Sequence, residues 1–242
     1  MSHDTKEISE YYDKIVDVQL RFSYNRRHYL LLKHLLQNGL NTNSHILEIG
    51  CGIGIMTRLM GYYVKRGKIF SIDISKNNIA EARRLNNRPN IEFAQGDAVN
   101  FPYPQYDYNF ITLFDVLEHI PDTLHADLFA HIARYMHENT LLIINIPNPE
   151  ALQYYIDIRH PDLQIVDQPL QADKILAHAY TFGMYLTYFK DYGIWYEREY
   201  QIMSFKKRTP VNTPTPKPYR LTERLEKYYL QIASTLRGLL PL

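Results

Sequence analysis

The chain has 242 residues, a formal charge of +1 and signs mixed throughout, which suits one α/β domain with additions and excludes a basic field for nucleic acid, although Arg21, Arg26 and Arg27 cluster locally. Its single cysteine, Cys51, excludes a disulfide framework and a thiolate metal site and fits a reducing cytoplasm. The first twenty residues are polar and charged, and no apolar run approaches the about 18 residues of a membrane span, so a soluble or at most peripheral protein without a signal peptide is expected.

Residues 5–18 and 22–38 read as two helices, the second turning Tyr29, Leu30, Leu32, Leu35 and Leu36 toward a core and ending near Asn38-Gly39. The apolar run from His45 then meets a turn with glycines at 50, 52 and 54, and Glu48 stands two residues before it. Alternating glycines let backbone approach a ligand, and the helix expected over 53–65 points its N-terminus at the same spot. The spacing is not the Gly-x-Gly-x-x-Gly of dinucleotide sites: Ile55 lies three residues after Gly52 and Thr57 three after Gly54.

Lys68 to Ser75 is a second strand ending in Asp73, 19 residues beyond Gly54, with Ile74 following. An acid at that tip is placed to accept both hydroxyls of a ribose; the alternative, a helix N-cap, is better filled by Ser75. Helix 75–86 leads to a third strand, Asn90 to Ala98, which closes on Gly96-Asp97-Ala98, a pattern also common in ordinary turns. Tyr108 to Phe114 is a buried strand that runs into Asp115-Val116-Leu117-Glu118-His119. After a helix over 122–136, Thr140 to Pro147 is a fifth strand. Strands alternating with helices signal right-handed crossovers and a parallel sheet.

These four segments, in this order and spacing, resemble the motifs of class I S-adenosylmethionine-dependent methyltransferases, and the resemblance covers roughly residues 45–147. It implies a Rossmann-like, doubly wound α/β fold and S-adenosylmethionine as cofactor. It implies that Glu48, Gly50, Cys51, Gly52 and Gly54 form the first cofactor turn, that Asp73 and Ile74 hold the ribose, and that Asp97 and Ala98 meet the adenine. Phe114 and Asp115 would complete that site, with Asp115 positioning the acceptor or holding the methionine amino group. The helices of residues 1–40 would form a lid, offering Tyr12, Tyr24 or Arg26 to the methionine carboxylate. Residues 41–208 would be the methyltransferase domain.

Residues 150–180 have no counterpart in that shared core, and an insertion after the fifth strand lies over the edge where open α/β sheets bind ligands. Tyrosine is the compositional outlier, 21 against one tryptophan, and its flat face with a hydroxyl suits a ring-shaped polar acceptor. Tyr24, Tyr154, Tyr155 and Tyr180 are the candidates to touch it. For a hydroxyl acceptor a base is needed, and His119 leads, followed by His160 and His178. Glu118 is expected to face a helix cap. Asp115 and Asn145 lack a third ligand, so no metal centre is expected.

Residues 180–192 look helical and 194–205 alternate like a strand, which leaves the last strand of the sheet open. Four prolines between Thr209 and Pro218 make an extended linker, and Leu221, Leu225, Tyr228, Ile232, Leu236 and Leu239 form a helical stripe, so residues 209–242 are a tail. That stripe must be covered by the same chain, by a second copy in a homodimer, or by a membrane surface. The expected activity is O-methylation of a small-molecule or glycan hydroxyl. N-methylation of a small amine and a non-catalytic cofactor-binding subunit are the alternatives.

Overall fold

The computed structural model describes residues 5–14, 16, 24–161 and 163–209 and, in the tail, 225, 228, 229 and 232. The chain divides into two units, residues 1–208 and 209–242. The four described tail residues, Leu225, Tyr228, Tyr229 and Ile232, are helical. The linker from Pro210, Leu221, Leu236 and Leu239, Arg21, Asp162 and the expected ends of the first two helices at 17–18 and 22–23 lie outside the described residues.

The first unit runs α1 (Thr5–Lys14), α2 (Arg26–Gln37), β1 (Ile46–Ile49), α3 (Ile55–Tyr63), β2 (Ile69–Asp73), α4 (Lys76–Leu85), β3 (Ile91–Gln95), β4 (Phe110–Phe114), α5 (His125–Ala133), β5 (Leu141–Pro147), α6 (Pro149–Asp157), α7 (Ala172–Thr181), β6 (Met184–Tyr192) and β7 (Tyr200–Lys207). Its seven strands form one sheet in the order β3-β2-β1-β4-β5-β7-β6. The first five pair in parallel, and β7 pairs antiparallel with both β5 and β6. This is the Rossmann-like class I methyltransferase architecture. The strand order reverses between β1 and β4, which opens a crevice at their carboxyl ends.

Parallel strands covered on both faces need apolar residues at successive positions, and β1, β2 and β5 are buried almost end to end. Alternate residues enter opposite cores. Leu47, Ile49, Ile111 and Leu113 pack with Leu128, Phe129 and Ile175 from α5 and α7. Ile46, Ile69, Phe110 and Ile143 pack with Leu31, Leu35 and Met60 from α2 and α3. Ser75 caps α4 by accepting the Asn78 N–H, as its place in the sequence suggests. The helix expected from 122 begins instead as a 3-10 turn over Asp122–Leu124.

The reading of 180–192 as a helix is corrected. Helix α7 stops at Thr181 because Gly183 adopts φ 74°, and Met184-Tyr185-Leu186-Thr187-Tyr188-Phe189, rich in aromatics, continues as edge strand β6. A register shift between Leu186 and Tyr188 breaks the two-residue alternation that would have marked it. The hairpin to β7 completes the sheet.

Candidate active site

A cleft of about 1710 Å³ opens at the carboxyl ends of β1, β2, β3 and β4. The turn after β1 forms its floor. Gly50 and Cys51 both donate backbone N–H groups to the Ile72 carbonyl, at 2.8 and 2.9 Å, which pins the turn against β2. Gly50 has φ 74°, and a Cβ there would stand 2.3 Å from Val116 Cγ2. Gly50→Ala is therefore expected to lower unfolding stability by about 1–3 kcal/mol through strain and overpacking, measured in urea melts, and to weaken cofactor binding with it. Gly54 does not line the cleft. A Cβ on it would meet Asn86 Nδ2 at 2.6 Å, and that amide donates to the Gly54 carbonyl at 3.1 Å, so this third glycine serves the packing of α3 on α4.

Three acids, Glu48, Asp73 and Asp97, line the cleft. Glu48 is buried, and Oε2 accepts from Thr57 Oγ1 and, at 2.7 Å, from Ser71 Oγ; burial pushes its carboxyl up to about 7. Asp73, at the tip of β2, accepts from Gly52 N–H at 2.7 Å on Oδ2 and from Ser75 N–H and Asn78 Nδ2 on Oδ1; burial raises its pKa. A carboxylate has about four acceptor sites, so three bonds hold Asp73 rigidly and leave capacity facing the cleft. Asp97 orders the turn after β3 by accepting the Val99 N–H at 3.0 Å, and Ile74, Ala98 and Phe114 line the cleft beside these acids. A positive-φ glycine turn, a pre-oriented acid and an ordered third turn on one wall fit the nucleoside part of S-adenosylmethionine.

Next to this wall, Asp115 sits at φ 57°, an uncommon backbone for a residue with a side chain. Asn145 fixes it twice, accepting the Asp115 N–H at 2.9 Å and donating Nδ2 to Oδ1 at 2.8 Å. Arg27 Nη1 pairs with Oδ2 at 3.0 Å and also reaches the Tyr200 hydroxyl at 3.1 Å, while Tyr192 donates to Asn145 Oδ1 at 2.7 Å. Of the two adjacent arginines, Arg27 lines the cleft and the exposed Arg26 does not. Asn25 caps α2 by accepting from Arg27 and His28 N–H groups, and that cap sets the helix phase that turns Arg27 inward. The Asn-x-x-His capping box was the available signal.

His119 lies in the cleft wall but not as a free base. Its Nδ1 faces the Val166 carbonyl at 2.6 Å and Asp167 Oδ1 at 3.3 Å, and its Nε2 lies 3.8 Å from Glu118 Oε1. Burial pulls the imidazole down, but Glu118 and Asp167 outweigh it and bring it up to about 9. Both acids favour the charged form of the ring, which does not take a further proton. Glu118 caps no helix: both its carboxyl oxygens are buried and receive no hydrogen bond from another residue. The loop after α6 clamps this segment, since Gln168 donates its backbone N–H to the Glu118 carbonyl and its Nε2 to Ile120 O at 2.6 Å. From α1, Tyr12 donates to Gln164 Oε1 at 2.7 Å and sets its ring 6.1 Å from that of His119.

Among the remaining candidates, His160, Tyr24, Tyr154 and Tyr155 line the cleft, with the His160 ring 4.8 Å from Tyr155. His178 and Tyr180 do not. Helix α7 packs on α5 rather than over the sheet edge, so His178 stacks on Phe129 at 5.8 Å and Tyr180 lies under the Arg208 guanidinium at 4.7 Å. In their place the β6–β7 hairpin brings Trp195, Tyr196 and Tyr200 to the cleft. No grouping of three or more His, Cys, Asp or Glu suited to a metal ion occurs among the described residues.

A family model described as a methyltransferase domain matches residues 22–209, well over half of the chain. A probable S-adenosylmethionine-dependent methyltransferase of Mycobacterium tuberculosis is 25% identical over 134 residues, 55% of this chain and 46% of that protein. A demethylmenaquinone methyltransferase of Staphylococcus epidermidis is 25% identical over 124 residues, covering 50% of each. The chain spans about half the length of these curated relatives. The magnesium protoporphyrin IX methyltransferase of Synechocystis PCC 6803, solved with bound S-adenosylhomocysteine (SAH), shares the fold at 15% identity, with a TM-score of 0.66 over 85% of this chain and 100% of that one. With its glycine turn, strand-tip acids and strand order joined in one cleft, the chain belongs to the class I S-adenosylmethionine-dependent methyltransferases.

Proposed function

We propose that the protein transfers a methyl group from S-adenosylmethionine to a hydroxyl of a small-molecule or sugar acceptor. The observation that carries this reading is the extent of the cleft. At about 1710 Å³ it exceeds the 300–1,000 Å³ of an ordinary single-ligand pocket, and it runs from the acids of β1–β3 to the aromatic side chains of residues 154–155 and 195–200. Aromatic faces beside carboxyl groups suit a hydroxylated ring. S-adenosylmethionine supplies an electrophilic methyl group on a sulfonium. For that reaction Asp73 and the Gly50–Gly52 turn orient the nucleoside, Asp97 and Ala98 the base, and Arg27 with Asn145 holds Asp115 in place at the acceptor end. Alignment of two partners in such a cleft is worth up to about 7–11 kcal/mol. With His119 tied to two acids and His178 outside the cleft, His160 takes the acceptor proton.

N-methylation of a small amine is the second reading, favoured by the carboxyl-rich lining. Incubating the protein with methyl-labelled S-adenosylmethionine and fractionated extract of cells that lack it, then identifying the labelled product by mass, tests both. Label found only in protein or RNA, or none transferred, would overturn them.

Among the described residues no helix is long and apolar enough to cross a membrane. We place the protein in the cytoplasm, where its free, buried Cys51 stays reduced. We also propose that the tail stripe, whose described residues Leu225, Tyr228 and Ile232 are exposed, meets a second copy of the chain or a membrane surface. Sedimentation with and without residues 209–242 should then show a dimer, or vesicle binding, that is lost on truncation. Unchanged mass and no lipid binding would overturn this assignment.

A further inference from the structure

The mechanism above uses Glu118 only as one of the two acids beside His119, and its setting is unusual. It is 1% exposed and lies in the cleft wall, and its carboxyl oxygens receive no hydrogen bond from another residue, only the approach of its own backbone N–H. An unmet buried carboxyl costs roughly 1–3 kcal/mol or more, so a fold keeps one where a ligand completes it. The groups facing it are His119, whose Nε2 at 3.8 Å is too far for a hydrogen bond, the acids Asp115 and Asp167, and Tyr12 from α1. His119 is itself shared with Asp167 and the Val166 carbonyl. The wider cleft has the same bias: eight carboxyl side chains line it against one guanidinium, Arg27, which is already paired with Asp115.

Resting on the methyltransferase reading, we propose that Glu118 is the seat of an onium cation, the sulfonium of the methyl donor or an ammonium carried by a ligand. Aromatic rings beside it, such as that of Tyr12, suit a cation that cannot donate strong hydrogen bonds. Burial, against the opposing pull of His119, raises the carboxyl above the ordinary carboxylate range. A cation arriving beside it favours the ionised carboxylate, which discriminates charged from neutral ligands.

Calorimetry of S-adenosylmethionine and SAH, in two buffers of different protonation enthalpy at pH 7, tests this on wild-type protein and on Glu118→Gln, a neutral isostere. Wild type should release protons on binding the cation and Glu118→Gln fewer, with a change of about tenfold or more in the affected affinity. A preference for S-adenosylmethionine over SAH that collapses in the variant assigns the sulfonium. Equal weakening of both assigns the amino-acid ammonium they share. If neither changes, SAH-loaded wild type that prefers glucosamine to glucose, with the preference lost in Glu118→Gln, assigns the acceptor. Glu118→Asp, which keeps the charge, should keep the proton release, and thermal melts confirm that each variant is folded. Unchanged affinities and proton counts, with no amine preference, overturn the proposal. Failure of wild type to bind either nucleoside strikes the methyltransferase reading itself.

Discussion

Asp73→Ala is expected to weaken SAH binding by about 10–10²-fold, the loss of a ribose-hydroxyl bond to a charged acceptor at about 1.5–3 kcal/mol. The size of the effect comes from how the carboxylate is held. Gly52 N–H, Ser75 N–H and Asn78 Nδ2 already aim it, so no ordering is left for the ligand to supply. The same bonds mean that alanine also orphans buried donors, a cost of about 1–3 kcal/mol of stability that a urea melt reads separately. Calorimetry on protein still folded at the assay temperature decides the matter. An SAH analogue lacking both ribose hydroxyls should bind variant and wild type alike. Undiminished SAH affinity in a folded Asp73→Ala protein would remove this residue from the ribose site.

The second large effect falls on turnover. Once an acceptor is found, His160→Gln should lower kcat by about 10²–10⁴-fold, the usual worth of a positioned base, while SAH affinity stays within about twofold. His178→Gln should leave kcat unchanged, because its ring stacks on Phe129 outside the cleft. His119→Gln should show itself in stability instead. A histidine whose folded pKa lies near 9, above its ordinary 6.5, adds stability that is fully present below pH 6.5 and lost as pH rises through 9. The stability gap between wild type and His119→Gln should therefore close between those values in urea melts. Full turnover in His160→Gln, or its abolition in His119→Gln with the cofactor still bound, would return the base role to His119.

Local pattern carried much of the site. Buried parallel strands leave unbroken apolar runs, so β1, β2, β4 and β5 were legible, and Asp73 and Asp115 sit at or just past the ends of two of them. Ser75 as N-cap was legible for the same reason, since a cap acts within three residues. Edge strand β6 was hidden, because only one side of it is paired and its register shift erases the alternation. His178 and Tyr180 misled because composition names residues able to bind a ring but not the face of α7 they occupy.

Local motifs a few residues long carried the fold class and, through the family resemblance, the cofactor, and they named Glu48, Asp73 and Asp97, which the fold brings to one cleft. Only the tertiary structure decided which of two adjacent arginines reaches Asp115, that Gly54 serves helix packing, and that His119 is committed to its acids. Each of those outcomes rests on partners far apart in the chain: Arg27 with Asp115 and Tyr200, Gly54 with Asn86, His119 with Asp167. A side chain's protonation and orientation follow from the charges and surfaces folding brings beside it, and no local spacing encodes them.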